Sequence, residues 1–295
     1  MKKASLLFLC VCMTFFFAAS ASAMPVIWDL GGIGISGSDV VDLNDQTSAF
    51  EEVTIYAETT VSQNDDGNGF LNAGDPFVDV GTLFGTGFVP VTTDSEGIGL
   101  NWQFTGELID FGGIVTDVSF DPVTNDTEID YSYTSGTLDF YVNQTITADH
   151  QTRIPSDDVG FTDGTLVASF DLVYGVGNTF LDFEGGDPDN RGLAEFMFEA
   201  TWLIDDFWYD TEGNDLAEVF GDEHPVTWFV EYIDINVDDP ILNIPGGPDA
   251  DLFTSSVQHD GSIEFDAVPE PASMLLLGAG LLGVAALGRK KIFKD

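Results

Sequence analysis

The chain has 295 residues, with 51 acidic residues against 8 Lys and Arg and a formal charge of −43 at pH 7. A polyanion of this kind excludes unaided binding to nucleic acid or to an anionic membrane face and repels phosphorylated substrates, leaving divalent cations, basic proteins and amino sugars as favoured partners. Hydrophobic residues make up 44% and aromatics 13%, with 25 Phe, which excludes a disordered acidic tract.

The first predicted element is a signal helix. Lys2 and Lys3 form a positive head, an apolar run follows from Ala4 to Ala19, and Ala21 and Ala23 stand at the spacing that signal peptidase needs. Cleavage after Ala23 leaves a chain that begins at Met24. Cys10 and Cys12, the two cysteines, lie inside this segment behind Leu9 and Val11, where a lipoprotein signal needs a small residue. Residues 24–267 therefore carry no disulfide and no thiolate metal site. Between residues 24 and 288 the basic residues are Arg153 and Arg191, set against 50 acidic ones, a formal charge of −48.

From residue 53 onward the dominant period is two. Val53, Ile55, Ala57 and Val61 alternate with polar neighbours, and this predicts a strand. "NDDGNGFLNAGD", residues 64–75, follows. With Asn64 at position 1 of a twelve-residue loop, Asp66 falls at 3, Asn68 at 5, Gly69 at 6, Phe70 at 7, Asn72 at 9 and Asp75 at 12. That is the spacing of an EF-hand calcium loop, in which a hard cation gathers six to eight oxygens and Gly at 6 makes the sharp turn. Asn at position 1 and Asp at position 12 depart from the usual Asp and Glu, and no helix–loop–helix frame surrounds the loop. The segment thus reads as a weak Ca²⁺ site, with dissociation constants on the order of 0.1–1 mM, or else as a solvated turn.

Further strands are predicted from Leu100, Trp102 and Phe104; from Leu166, Ala168, Phe170 and Leu172; from Ala194, Phe196, Phe198, Ala200 and Trp202; and from Phe229, Ile233, Ile235 and Val237. Ile129, Tyr131 and Tyr133, then Ser135-Gly136, then Leu138, Phe140 and Val142 read as a hairpin. "EGGDPDN" (184–190) and "DTEGND" (210–215) are turns or further ion sites, and Leu203 to Phe220 has room for a short helix. "IPGGPDAD" through Pro271 reads as a spacer. The expected fold is all-β: an antiparallel, jelly-roll-like β-sandwich of roughly ten strands over residues 24–267, between an N-terminal signal helix and a C-terminal transmembrane helix.

Catalytic signatures are not apparent. His150, His224 and His259 have no metal-ligand spacing, no G-x-S-x-G occurs, and "GVGNTF" (175–180) has no following Lys to make a phosphate loop. With so many carboxylates, a glycosidase pair can be drawn anywhere and so carries no weight.

The last element is the tail, residues 268–295. Pro269-Glu270-Pro271 precede an apolar run from Ala272 to Gly288, and Arg289, Lys290 and Lys291 follow. The run is at the short end for a membrane span, and the basic cluster would stay cytoplasmic. Tripeptide, apolar helix and basic end together resemble the PEP-CTERM sorting signal of Gram-negative bacteria. The resemblance implies recognition by an exosortase, cutting near the Pro-Glu-Pro, and passage from a transient inner-membrane anchor to the cell surface or the exopolysaccharide matrix. It also implies a role in biofilm, of the flocculation-associated type, and the lack of a catalytic signature makes the expected role non-catalytic. A polysaccharide-active enzyme or a carbohydrate-binding module on a β-sandwich is the rival reading.

Overall fold

Alternation of β-branched and aromatic residues with polar ones builds extended chain. In the computed structural model this gives eleven strands and one short helix among the described residues, which are 25–35, 45–63, 71–89, 97–99, 101–121, 123, 126–144, 161–181, 191–220, 226–230, 233–241 and 254–267. The strands are β1 (Val26–Trp28), β2 (Glu52–Gln63), β3 (Pro76–Val89), β4 (Gln103–Phe120), β5 (Thr127–Asn143), β6 (Thr165–Leu181), β7 (Arg191–Leu203), β8 (Trp208–Asp210), β9 (Val226–Val230), β10 (Ile233–Ile241) and β11 (Thr254–Ala267). The helix α1 spans Leu216–Phe220, inside the stretch expected to hold one.

Nine strands form one antiparallel sheet in the order β10-β11-β2-β3-β4-β5-β6-β7-β9, and β9 pairs with β11 as well. The sheet therefore closes on itself. Glu264 to Ala267 of β11 face Phe229 to Val226 of β9, and Thr254 to Glu264 of β11 face Ser62 to Glu52 of β2. β9 and β10, separated by two residues, act as a single stave. The result is an up-and-down barrel, and the expected two-layer, jelly-roll-like sandwich is corrected to it. Alternation reports that one side of each strand is buried. A second sheet or the far wall of the same sheet satisfies that pattern equally. The choice is made by β11, which returns to pair with β2 about two hundred residues earlier in the chain. The signal helix and the transmembrane helix fall outside the described residues. Among those described, no helix is long and apolar enough to cross a membrane.

Several elements depart from the sequence reading, among them β1 and β8, which fall where no strand was expected. β3 was not anticipated, because its inward side carries Asp79 and two glycines as well as Phe77 and Leu83. β11 occupies half of the stretch read as a spacer. The expected hairpin at 129–142 is a single strand, β5. Its Ser135-Gly136 is a kink and not a turn, and Gly136 lies against Phe111, whose ring would stand 2.4 Å from any added Cβ.

That kink belongs to a belt of irregularities around the barrel. Register shifts fall between Asp79 and Gly81 on β3, between Ile109 and Gly112 on β4, and between Leu172 and Tyr174 on β6. Each extra residue switches the inward phase of its strand. On β5, Leu138, Phe140 and Val142 point inward on one side of the belt, while Ile129 and Tyr133 do so on the other.

The interior thus has two packed layers. One rim is plugged by β1 and β8, paired antiparallel from Val26↔Asp210 to Trp28↔Trp208. Trp28 is fully buried there, with ring centroids of Phe104, Phe50 and Trp208 at 4.7, 4.8 and 5.3 Å. Trp208 ties the plug to the wall by donating its indole N–H to the Val167 carbonyl at 2.8 Å. Beyond the belt, Phe77, Phe111, Tyr133, Phe196 and Phe198 fill the second layer by edge-to-face contacts such as Tyr133–Phe196 at 4.8 Å.

Candidate functional site

The far rim, opposite the plug, is where β2 ends at Gln63 and β3 begins at Pro76, and where β6 ends at Leu181 and β7 begins at Arg191. Of the proposed calcium ligands, Asn64, Asp66, Asn68 and Phe70 lie outside the described residues. Asn72 and Asp75 are described and belong to a closed turn. The Asn72 N–H donates to Asp75 Oδ2 at 2.7 Å, and the Asp75 N–H donates back to the Asn72 carbonyl at 3.1 Å. Leu71, at the loop position that points inward, is buried, as is Asp75, which is 2% exposed. The turn is held to β4 by Gly74 N–H to the Val115 carbonyl at 2.7 Å and by Val115 N–H to the Asp75 carbonyl at 2.9 Å. The Asp75 carboxylate therefore supports the backbone whether or not an ion is bound.

"DTEGND" is a self-contained turn. Asp210 Oδ1 accepts the N–H groups of Glu212 and Asn214 at 2.8 and 2.9 Å, and Oδ2 accepts the Asn214 amide at 2.7 Å. Partial burial works to raise the Asp210 pKa, but these hydrogen bonds outweigh it and hold the carboxyl below its ordinary value. Asp215 caps α1, taking the N–H groups of Asp206 and Ala217 at 2.7 and 2.9 Å. Among the described residues no group of three or more His, Cys, Asp or Glu is arranged to hold a metal ion. "EGGDPDN", His150, Arg153 and His224 lie outside them, and His259 sits on β11 opposite Ala57.

The outer wall is lined with carboxylates. Strand register sets Glu107 opposite Asp139, Asp117 opposite Asp130, and Asp171 opposite Glu199. Like charges directly opposite oppose pairing, and here neutral donors take the place of cations. Asn178 donates to Asp130 at 2.7 Å and Glu128 at 3.0 Å, and Thr137 donates to Asp171 at 2.9 Å. Burial first, and then the charges of Asp139 and Glu107, push the Tyr141 hydroxyl above its ordinary value.

One buried acid escaped the sequence reading. Asp79 is turned into the barrel, 2% exposed, and accepts the Tyr133 hydroxyl at 2.9 Å. The available signal was an Asp in the apolar phase of "PFVDVGTLF".

Ala21, Ala23 and Met24 at the signal cleavage site, and Pro269, Glu270, Pro271, Arg289, Lys290 and Lys291 of the tail, lie outside the described residues. The tail is decided by comparison. Residues 267–291 match the PEP-CTERM protein-sorting motif. The chain carries a PEP-CTERM sorting signal. It is thereby an exported protein targeted to an exosortase and destined for the cell surface. The PEP-CTERM motif begins at the residue where β11 ends, Ala267, so the barrel and the sorting signal adjoin directly. No curated protein matches the chain. Among solved structures, Ail, the attachment invasion locus protein of Yersinia pestis, is similar at 10% identity and a TM-score of 0.14, covering 73% of this chain and 99% of that one. A likeness at that score has no bearing on fold or function.

Proposed function

We propose that the PEP-CTERM protein is a non-catalytic component of the cell surface or extracellular matrix, acting in a biofilm, floc or exopolysaccharide layer after exosortase processing. The observation that supports this reading is the construction of the wall: among the described residues aromatic rings pack in both layers of the interior, and carboxylates stand opposite one another across the outer ladders. Binding then falls to the outer surface. A polyanionic surface collects divalent cations, and cations held between it and an anionic polysaccharide would join the two. Residues 64–75 are read as the specific part of this response, a weak calcium loop with Asp66, Asn68, the Phe70 carbonyl and Asn72 as ligands, Asn64 as a weak first ligand, and Asp75 shared between ion and turn.

The test is co-sedimentation of the mature protein with exopolysaccharide from its own cells. Sedimentation that requires a divalent cation, with no shortening of the polymer, is expected. Release of new reducing ends would make the protein an enzyme. Cation-independent binding that is lost in Trp202→Ala would make it a carbohydrate-binding module, since Trp202 is 41% exposed. The loop is tested separately by melting in calcium and in magnesium at equal ionic strength. At free calcium ~100 times the dissociation constant the native state gains about 2.7 kcal/mol, and Asp66→Ala should abolish the excess over magnesium. Asp75→Ala is an unsuitable control, because it also removes the acceptor of the Asn72 N–H. Equal shifts in the two ions, unchanged by Asp66→Ala, would leave the loop a turn.

A further inference from the structure

Asp79 has no part in sorting, in the outer wall or in the calcium loop. It lies in the bulge belt, at the point where the β3–β4 ladder slips between Asp79 and Gly81. The facing strand kinks there too, with Asp110 at φ 52°. Tyr133 donates to Oδ2, the Thr59 hydroxyl is a second donor to the carboxyl, and Oδ1 has no hydrogen-bond partner among the described residues.

Among the described residues the surroundings supply no positive charge. Register sets Val61 of β2 and Phe111 of β4 directly opposite Asp79, and β2 also contributes Thr59. The titratable groups that face it are Tyr131 and Tyr133 of β5, both kept protonated by burial above all, and then by charges that include that of Asp79. Phe196 of β7 closes the far side of Tyr133 at 4.8 Å. A carboxylate in such a place has lost its water and gained no counter-ion, whereas the neutral acid keeps the Tyr133 bond and sheds the charge.

We propose that Asp79, Tyr133 and Thr59 form a proton-operated latch inside the barrel, closed while Asp79 carries its proton and loosening the β3–β4 wall when that proton leaves to solvent. The proton belongs on Oδ1, since Oδ2 is the acceptor for Tyr133. The slipped ladder is the place where the wall can give. Burial raises the Asp79 carboxyl from its ordinary value, against the smaller opposing effects of the Thr59 and Tyr133 hydrogen bonds. Between the unfolded value and this raised one, the native chain holds a proton that the unfolded chain has released. Stability is therefore full below the unfolded value and falls as pH rises to the raised one, by up to about tenfold in the folding equilibrium per pH unit.

The experiment is thermal unfolding of the mature protein from the carboxylate range up through neutrality, in about 1 M salt, where the screening length is ~3 Å and surface carboxylates scarcely sense one another. Asp79→Asn keeps an acceptor for Tyr133 and has no proton to lose. Its melting temperature should stay flat where the parent's declines, and it should exceed the parent's at neutral pH. Tyr133→Phe removes a donor that favours the charged form, so in this variant the decline should extend to higher pH than in the parent. Amide exchange over Phe77 to Leu83 at neutral pH should be faster in the parent than in Asp79→Asn. Parallel decline in parent and Asp79→Asn, a less stable Asp79→Asn at neutral pH, or equal exchange in the two would overturn the latch.

Discussion

Two aspartates show how position and not residue type sets a carboxyl's contribution. Asp210 lies in a turn whose N–H groups hold its pKa down, so its stabilising effect is present above the unfolded value and is lost as pH falls through the lowered one. Asp79 lies among rings with one oxygen unpartnered among the described residues, and its linkage has the opposite sign. Small residues matter for a related reason. Gly177 is required because the Tyr131 ring would stand 2.3 Å from an added Cβ, so glycine on β6 is what lets tyrosine on β5 fit inside. Among the large residues Trp28 is the most connected, touching Phe50, Phe88, Trp102, Phe104, Phe207 and Trp208. Trp28→Ala is expected to cost about 3–5 kcal/mol, measured as a lower urea midpoint. The loss should come from the plug rim and leave the Asp79 pH dependence in place.

At the scale of elements the repeated tension is like charge across a ladder. Asp171 on β6 and Glu199 on β7 are both exposed and directly opposite. Glu199→Lys turns this repulsion into attraction, and a gain of roughly 0.2–1 kcal/mol is expected. It should be visible in denaturant unfolding at low salt and should fade at high salt, as befits an exposed pair. An unchanged midpoint at low salt would mean that the donor Thr137, at 2.9 Å from Asp171, already relieves the pair. The strand most consequential for the whole is β11. It pairs with β2, β9 and β10, and so it carries the closure that the other strands cannot make among themselves.

For the whole molecule, the adjacency of β11 and the sorting motif constrains export. A cut before Ala267 would remove residues that pair with β9, and one before Glu264 residues that pair with β2 as well, whereas a cut at or beyond Pro269-Glu270-Pro271 leaves the barrel whole. Intact-mass analysis of surface material is therefore expected to show a species that begins at Met24 and retains residue 267. A released product that ends within β11 would contradict the barrel as the mature form. Retention of the Arg289-Lys290-Lys291 cluster would make the tail a permanent anchor. The plug rim, where Ala267 leaves the sheet beside Val226, is the side of the barrel from which the sorting signal continues.

The sequence by itself determined the address and the class of structure. The sorting tail is a contiguous pattern read by an enzyme along the chain, so no fold was needed to see it. Period-two alternation in β2, β5 and β7 dictated strands because it is a local consequence of pleated backbone. "DTEGND" was legible as a turn for the same reason, whereas the capping role of Asp215 came only with the structure. Closure was different. Whether β2 finds a second sheet or its own far wall depends on β11, a segment whose Gly, Ser and Asp content reads locally as a spacer. The bulge belt hid as well, because each slip reverses the alternation, and at Ser135-Gly136 a reversal within one strand looks the same as a turn between two. Asp79 became a distinct group only when β3 took its place in the wall, since its burial and the Tyr133 hydroxyl are supplied by residues from other strands. What lay within a few residues was in the sequence, and what depended on partners tens to hundreds of residues away was decided by the tertiary structure.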